Sequence, residues 1–246
     1  MSLSPPESAG PLRRERLRTA RLYFVCDARP GGEDPEALLR AALGGGVDIV
    51  QLREKQLGRA EIERAASTFR RVCDTYSALF ILNDDPDLAR ACDADGVHVG
   101  QDDASAEAAR ELLGPNAIVG LSTHSEEQIA AANERPIDYM SVGPIWETPT
   151  KAGRPAVGLE LVSHAAEHAT RPFFGIGGVD PTNAEQVVRA GARRLCAVRA
   201  IRDAADPDAA AAALRHAFAT TEGAGPSSQD ALLDQPAPWR GVAPGG

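Results

Sequence analysis

The sequence contains few aromatic residues. Phe, Trp and Tyr make up only 4% of the chain, whereas hydrophobic residues as a whole reach 43%. The core must therefore be built mainly from Val, Ile, Leu and Ala, which allow close contacts between helices and strands. This composition is typical of an α/β protein, and a length of 246 residues is enough for one domain with a large core.

Several other features are missing. No apolar run approaches the roughly 20 residues of a membrane helix, and no cationic and then apolar signal segment opens the chain. The formal net charge is −9 and the body of the chain has no long Lys or Arg block, which argues against binding to nucleic acid. The cysteines form no C-x-x-C pair: Cys26, Cys73, Cys92 and Cys196. We therefore expect a cytoplasmic protein without a membrane or nucleic-acid partner.

Eight short β-rich runs alternate with segments that carry helix signals. The runs cover residues 22–26, 48–52, 79–83, 96–100, 117–121, 138–143, 172–176 and 194–198. Several are apolar throughout, as expected for parallel strands that are buried on both faces. Asp34-Pro35 and Asp180-Pro181 mark helix starts, because proline fits the first helical turn.

Eight such βα repeats predict a barrel, because each right-handed crossover places the next strand beside the last. An open, doubly wound sheet is the alternative. Polar residues recur just after the strands, and in a barrel they would all face one mouth, where barrel enzymes carry out their chemistry. We therefore predict a single (β/α)₈ TIM barrel over residues 21–219. Composition predicts a flexible N-terminal tail over 1–20 and a disordered C-terminal tail over 220–246.

The segment after the second strand combines an amide with two cations. Gln51, Arg53 and Lys55 share one face of an extended chain. Arg presents a planar fork to phosphate and Lys a movable point charge, so together they suit an anionic ligand. The alternative is a pair of surface cations in ordinary ion pairs.

Aspartates follow the third and fourth strands. Asp84 comes after Asn83, and Asp103 follows the run that contains His98. Adjacent strands lie roughly 5 Å apart, so the two carboxylates are candidates for one Mg²⁺ ion, which is often held by one or two carboxylates and substrate phosphates. The alternative for each aspartate is a helix N-cap. We expect His98 to be a packed, hydrogen-bonded core residue.

The loop over residues 143–157 is about three times the usual length of a strand-to-helix connection. Thr148, Thr150 and Lys151 give it two hydroxyls and a cation that suit a lid over a diphosphate. Beyond it, Gly177-Gly178 and Val198-Arg199 follow the seventh and eighth strands, where barrels frequently bind phosphate.

Six motifs occur in a fixed order: QLREK, ND, GVHVGQDD, GLSTHS, GPIWETPTK and GIGG. This series resembles that of the thiamine-phosphate synthases. The resemblance implies a transferase of thiamine biosynthesis that acts on small molecules. In the implied reaction a hydroxymethylpyrimidine diphosphate loses pyrophosphate and a thiazole phosphate captures the pyrimidine methylene, with Mg²⁺ assisting a dissociative substitution. The resemblance leaves open whether the chain forms a homo-oligomer.

The resemblance also implies roles for individual residues. Arg53, Lys55, Ser122 and Lys151 would be catalytic, and Asp84 and Asp103 would hold Mg²⁺. The substrates would contact Gln51, Arg53, Lys55, Asn83, Ser122, Thr148, Thr150, Lys151, Gly178, Val198 and Arg199. Two positions depart from the family pattern, which often has Arg where this chain has Asp85 and Ser where it has Arg199.

Two other functions fit the same barrel. A thiazole tautomerase would use His124 as an acid–base group, although the QLREK and Thr-Pro-Thr-Lys segments would then have little to do. A sensor without catalytic activity would bind thiamine phosphate and recruit a partner through the tails. Pyrophosphate release that depends on Mg²⁺ separates both from the synthase.

Overall fold

The computed structural model describes residues 9–148 and 155–219. Eight parallel strands follow one another around a closed barrel, and the first pairs with the eighth to complete the ring. The strands are β1 Leu22–Cys26, β2 Ile49–Leu52, β3 Leu79–Asn83, β4 Gly96–Val99, β5 Ile118–Thr123, β6 Tyr139–Val142, β7 Phe173–Ile176 and β8 Leu195–Ala197. The predicted barrel is confirmed, each strand lies within two residues of its expected bounds, and the open sheet is wrong.

Helices surround the strands. In the described residues they are α1 Ala9–Thr19, α2 Glu36–Gly44, α3 Arg59–Tyr76, α4 Pro86–Ala91, α5 Ala106–Leu113, α6 Glu126–Asn133, α7 Gly158–His168, α8 Ala184–Arg189, α9 Arg199–Arg202 and α10 Pro207–His216, with one 3₁₀ turn at Pro30–Gly32. α3 shows how they pack, since its residues Ala66, Phe69, Val72 and Cys73 recur at helical spacing and are all buried. No helix in the described part of the chain is long and apolar enough to cross a membrane.

A separate small core fills the inside of the barrel. Alternate residues of the strands face inward, as the two-residue period of a strand requires, and among them are Tyr23, Ile49, Tyr139 and Phe174. Gly120 of β5 makes room for one of these rings, because a Cβ atom there would lie 2.2 Å from the Cζ atom of Tyr139.

The N-terminal ends of three even-numbered strands carry aspartates. Asp48, Asp95 and Asp138 directly precede β2, β4 and β6. Each carboxylate accepts a hydrogen bond from a backbone N–H of the preceding strand, at 3.0 Å from Leu22, 2.9 Å from Phe80 and 2.8 Å from Val119. Each also pairs with arginine: Arg215, Arg70 and Arg110 respectively. These charges tie neighbouring strands to the helices around them.

The predicted N-terminal tail is wrong for residues 9–20. They form α1 and its C-terminal extension, which close the bottom of the barrel with Leu17 and Ala20, only 2% and 1% exposed. Arg13 Nε donates to Asp95 at 2.8 Å, and Arg14 Nε lies 3.5 Å from Asp138. The helix is thus held by contacts far along the chain, which local composition does not reveal. The predicted C-terminal tail, residues 220–246, lies outside the described residues.

Candidate active site

Two adjoining cavities open at the C-terminal ends of the strands. The central cavity has a volume of about 360 Å³ and the side cavity about 280 Å³. Both are lined by Arg53, Asn83, His98 and Ser122, so the two cavities meet at these four side chains. The two cavities are therefore neighbours that share part of their walls.

The predicted site residues that the structure describes all line these cavities. The central cavity is lined by Gln51, Arg53, Asn83, Ser122, Thr148, Gly178, Val198 and Arg199. The side cavity is lined by Arg53, Lys55, Asn83, Asp84, Asp103 and Ser122. Thr150 and Lys151 lie outside the described residues. The structure brings the described residues together, while their individual roles remain predictions.

A pair of carboxyl groups occupies the side cavity. Asp84 hydrogen-bonds Asp103, and Lys55 Nζ donates to Asp84. Burial raises the pKa of Asp84 above its ordinary value, the hydrogen bond from Lys55 lowers it, and the neighbouring Asp103 raises it, with a net increase. Two carboxyl groups held this close repel one another when both are ionised, so a cation between them would favour the ionised forms.

Asp85, next to Asp84, has a structural role. Asp85 Oδ1 accepts the backbone N–H of Leu88 at 2.9 Å, so Asp85 is the N-cap of α4. Helix α5 is capped by Ser105, so the Asp103 carboxylate does not cap that helix.

Within residues 9–148 and 155–219, no group of three or more His, Cys, Asp and Glu side chains is arranged to hold a metal ion. A cation here would depend on two carboxylates and on ligand oxygens.

Glycines form part of the rim of the central cavity. Gly177 and Gly178 have φ angles of 100° and 71°, a conformation that favours glycine. A Cβ atom at Gly178 would lie 2.8 Å from Trp146 Cβ, and the Trp146 N–H donates to the Gly177 carbonyl at 3.1 Å. Trp146 thus packs behind the glycine turn and supports it.

A buried hydrogen-bonded chain crosses the barrel beneath the cavities. Gln51 Nε2 donates to the Tyr23 hydroxyl at 2.8 Å, and the Tyr23 and Tyr139 oxygens are 2.9 Å apart. Tyr139 lies 3.0 Å from His98 Nδ1, and His98 Nε2 lies 2.9 Å from Ser122 Oγ. His98 is 7% exposed and hydrogen-bonded at both nitrogens, so its prediction as a packed core histidine is confirmed.

Sequence reasoning missed several residues that line the central cavity. Tyr23, Asp180 and Asp203 belong to this group, and Tyr139 supports it from below. Tyr23 gives a weak signal in the sequence, since it places a hydroxyl in an otherwise apolar strand. The sequence marks Asp180 only as a helix start, and the side chain of Asp203 hydrogen-bonds the neighbouring Arg202 at 2.7 Å.

Comparison with known proteins gives a consistent result. A family model described as thiamine monophosphate synthase matches residues 22–201. A thiamine-phosphate synthase from Saccharopolyspora erythraea is 50% identical over 210 residues, which cover 82% of this chain and 94% of the relative. One from Thermobifida fusca is 49% identical over 204 residues, covering 82% and 94%.

A solved structure shows the same likeness. The thiamine phosphate pyrophosphorylase from Pyrococcus furiosus superimposes with a TM-score of 0.75 at 32% identity, and the match covers 83% of this chain and 98% of that one. A 3-hexulose-6-phosphate synthase, 23% identical with a TM-score of 0.57, shares the fold. Because the family model spans all eight strands and the relatives match over nearly their full length, the chain belongs to the thiamine monophosphate synthase family.

Proposed function

We propose that this chain joins a hydroxymethylpyrimidine diphosphate to a thiazole phosphate, giving thiamine phosphate and pyrophosphate. The observation that carries the proposal is the pair of cavities that meet at Arg53, Asn83, His98 and Ser122. A reaction between two phosphorylated substrates needs two binding sites with a shared boundary at the reacting atoms. Membership in the thiamine monophosphate synthase family supports the same reaction.

The side cavity is the proposed site of the diphosphate and of Mg²⁺. Arg53 and Lys55 supply positive charge there, and Asp84 and Asp103 supply carboxylate oxygens. This donor set fits Mg²⁺, which prefers oxygen ligands and is commonly shared between one or two carboxylates and substrate phosphates. When bound, Mg²⁺ would stabilise the negative charge that develops on the departing pyrophosphate.

The central cavity is the proposed site of the two rings. Asn83, at the boundary, faces the place where the pyrimidine would lie, and Gly178, Val198 and Arg199 line the end proposed for the thiazole phosphate. The exposed Arg199 adds a guanidinium to that end, which suits a phosphate. The lid formed by Thr148, Thr150 and Lys151 remains a proposal, since Thr150 and Lys151 lie outside the described residues.

The proposed chemistry is dissociative. The bond between the pyrimidine methylene and the diphosphate oxygen breaks, and the electron pair leaves with pyrophosphate. Arg53 and Lys55 stabilise that charge, and the amino-pyrimidine ring delocalises the positive charge that remains. The thiazole nitrogen then donates its electron pair to the methylene, so no general base is needed.

We further infer a cytoplasmic location and small-molecule partners. The four cysteines are all free thiols, as expected in a reducing compartment. The net charge of −9 gives no support to a nucleic-acid partner. A homo-oligomer remains open to measurement by light scattering of the purified chain.

The experiment that tests the function measures pyrophosphate release from the purified protein. Both substrates are supplied together and separately, with Mg²⁺ and with a chelator. We expect release only with both substrates and the metal. Asp84→Asn should raise the Mg²⁺ concentration needed for half-maximal release, because it removes one of two charged oxygen donors.

Asp87→Asn is the matched control. Asp87 lies in the same segment, but its side chain is 63% exposed and pairs with Arg90 on the surface of α4. The Asp87→Asn variant should need the same Mg²⁺ concentration for half-maximal release as the wild type. An equal shift in both variants would show that the Asp84 effect does not arise at the metal.

The tautomerase alternative retains one supporting observation, because His124 lines the central cavity and its Nδ1 atom contacts the Gly143 carbonyl. The same assay separates the two reactions. A tautomerase converts the thiazole phosphate alone and releases no pyrophosphate, so release with both substrates would exclude it as the main activity.

A further inference from the structure

A buried hydrogen-bonded chain joins Gln51, Tyr23, Tyr139, His98 and Ser122. Its two ends, Gln51 and Ser122, are expected substrate contacts, whereas the three residues between them have no role in the chemistry described so far. Its two ends differ in position. Gln51 lines only the central cavity, whereas Ser122 lines the boundary of both cavities. Gln51 and Ser122 are 4% and 2% exposed, so their polar atoms face either the chain or a bound ligand.

The direction of the hydrogen bonds follows from the donor at one end. Gln51 Nε2 donates to the Tyr23 oxygen, so the Tyr23 hydroxyl donates onward to Tyr139. Burial raises the pKa of both tyrosines, so both keep their protons at neutral pH. In the same direction the Tyr139 hydroxyl donates to His98 Nδ1, 3.0 Å away. This direction requires an unprotonated Nδ1, which in a neutral imidazole places the proton on Nε2.

The direction decides what Ser122 offers to a ligand. In this direction the donor is His98 Nε2–H and the acceptor is Ser122 Oγ, 2.9 Å away, with Ser141 Oγ more distant at 3.5 Å. Because Ser122 Oγ is already an acceptor from His98, its own O–H is available to donate into the cavities. At the other end one N–H of the Gln51 amide donates to Tyr23. This bond orients the amide, whose carbonyl oxygen remains able to accept and whose second N–H remains able to donate.

We propose that this chain fixes the hydrogen-bond polarity of the site: Ser122 is held as a donor and Gln51 as an acceptor, with His98 and Tyr139 as positioning residues. The assignment to substrate groups rests on the proposed function. Ser122, at the boundary with the side cavity, donates to an oxygen of the leaving diphosphate. Gln51, in the central cavity, accepts the amine of the pyrimidine ring.

The first test is spectroscopic and needs no substrate. Nitrogen NMR of the histidine rings reports which nitrogen of each imidazole carries the proton, and a His98→Gln variant identifies the His98 signals among those of five histidines. We expect the Nε2–H form for His98 in the wild type. Tyr139→Phe removes the oxygen that donates to Nδ1 and that also pairs with the Tyr23 hydroxyl, so this variant should lose the preference for that form.

The second test separates the two ends of the chain by kinetics. Tyr139→Phe should lower kcat about ten-fold, the effect of one hydrogen bond to a group that gains charge in the transition state. Tyr23→Phe leaves Tyr139 able to donate to His98 but releases Gln51, so it should raise KM for the pyrimidine diphosphate about five-fold with a much smaller change in kcat. Tyr76→Phe, on the surface of α3 at 41% exposure, is the matched control and should behave as the wild type.

Two results would overturn the proposal. An Nδ1–H form of His98 in the wild type would mean that the hydrogen bonds run the other way and that Ser122 accepts. A Tyr139→Phe variant with wild-type kcat would show that the polarity of Ser122 has no effect on the leaving group. If the wild type releases no pyrophosphate at all, the proposed function fails, while the His98 spectrum still decides the direction of the chain.

Discussion

The contact between α1 and the bottom of the barrel allows a sharp test, because the helix carries two leucines in opposite environments. Leu17 is 2% exposed and packs into the small core inside the barrel, whereas Leu12 is 53% exposed. Leu17→Ala and Leu12→Ala remove the same atoms from the same helix. Any difference between the two variants therefore measures burial and not helix propensity.

The expected magnitude follows from that burial. Replacing a buried Leu by Ala costs about 2–5 kcal/mol, the lost transfer free energy plus the cavity that remains. Leu17 belongs to the same buried cluster as the strand residues Ile49, Leu79 and Ile118. Strands of a closed barrel cannot readily collapse into the space, so we expect a cost of about 3 kcal/mol. That cost lowers the ratio of folded to unfolded protein by a factor of roughly 10². Leu12→Ala should change the free energy of unfolding by less than about 0.5 kcal/mol.

Urea unfolding followed by circular dichroism measures both variants. With a slope of about 2–3 kcal/mol per molar urea for a domain of this size, the midpoint for Leu17→Ala should fall by about 1 M, and that for Leu12→Ala should stay near the wild type. Equal midpoints for the two variants would refute the reasoning, since residues 9–20 would then contribute no more to stability than a tail.

Two further predictions concern the barrel interior and the surface. Gly120→Ala should destabilise the fold by about 1–3 kcal/mol in the same urea assay, because the new Cβ atom would lie 2.2 Å from the Tyr139 ring, whereas Gly58→Ala, whose Cβ would lie 4.0 Å from Glu61, should cost less. Hydrogen bonds from Arg71 and Arg40 lower the pKa of Glu36 from 4.5 to about 2. The stabilisation by Glu36 should therefore be fully present above pH 4.5 and disappear as the pH falls towards 2, so wild type and Glu36→Gln should converge in acid; a constant difference in their melting temperatures across that range would contradict this.

Much of the fold could be predicted because its signals are local. Each strand is a short apolar run bounded by polar residues, and such runs keep their meaning whatever the rest of the chain does. The residues of QLREK and of the two aspartate segments can be predicted as site residues because each lies at the end of a strand or just after it. The barrel gathers these strand ends at one mouth.

The rest depended on contacts between distant segments. Helix α1 is polar along most of its length, and its position is set by Asp95 and Asp138, which lie far along the chain. The pairing of the Tyr23 and Tyr139 hydroxyls joins residues 116 positions apart and depends on how the barrel closes. In the sequence Asp85 is only a departure from the family pattern, and the contact with Leu88 shows that it caps α4.

The aspartates at the starts of β2, β4 and β6 have a consequence for how this protein can change. Asp48, Asp95 and Asp138 fasten strands to helices at the end of the barrel opposite the mouth. Substitutions in the loops at the mouth therefore leave these hydrogen bonds and ion pairs intact. Selection in the laboratory for new phosphorylated substrates can accordingly alter Arg199 without disturbing these contacts, while replacement of the three aspartates should destabilise the barrel.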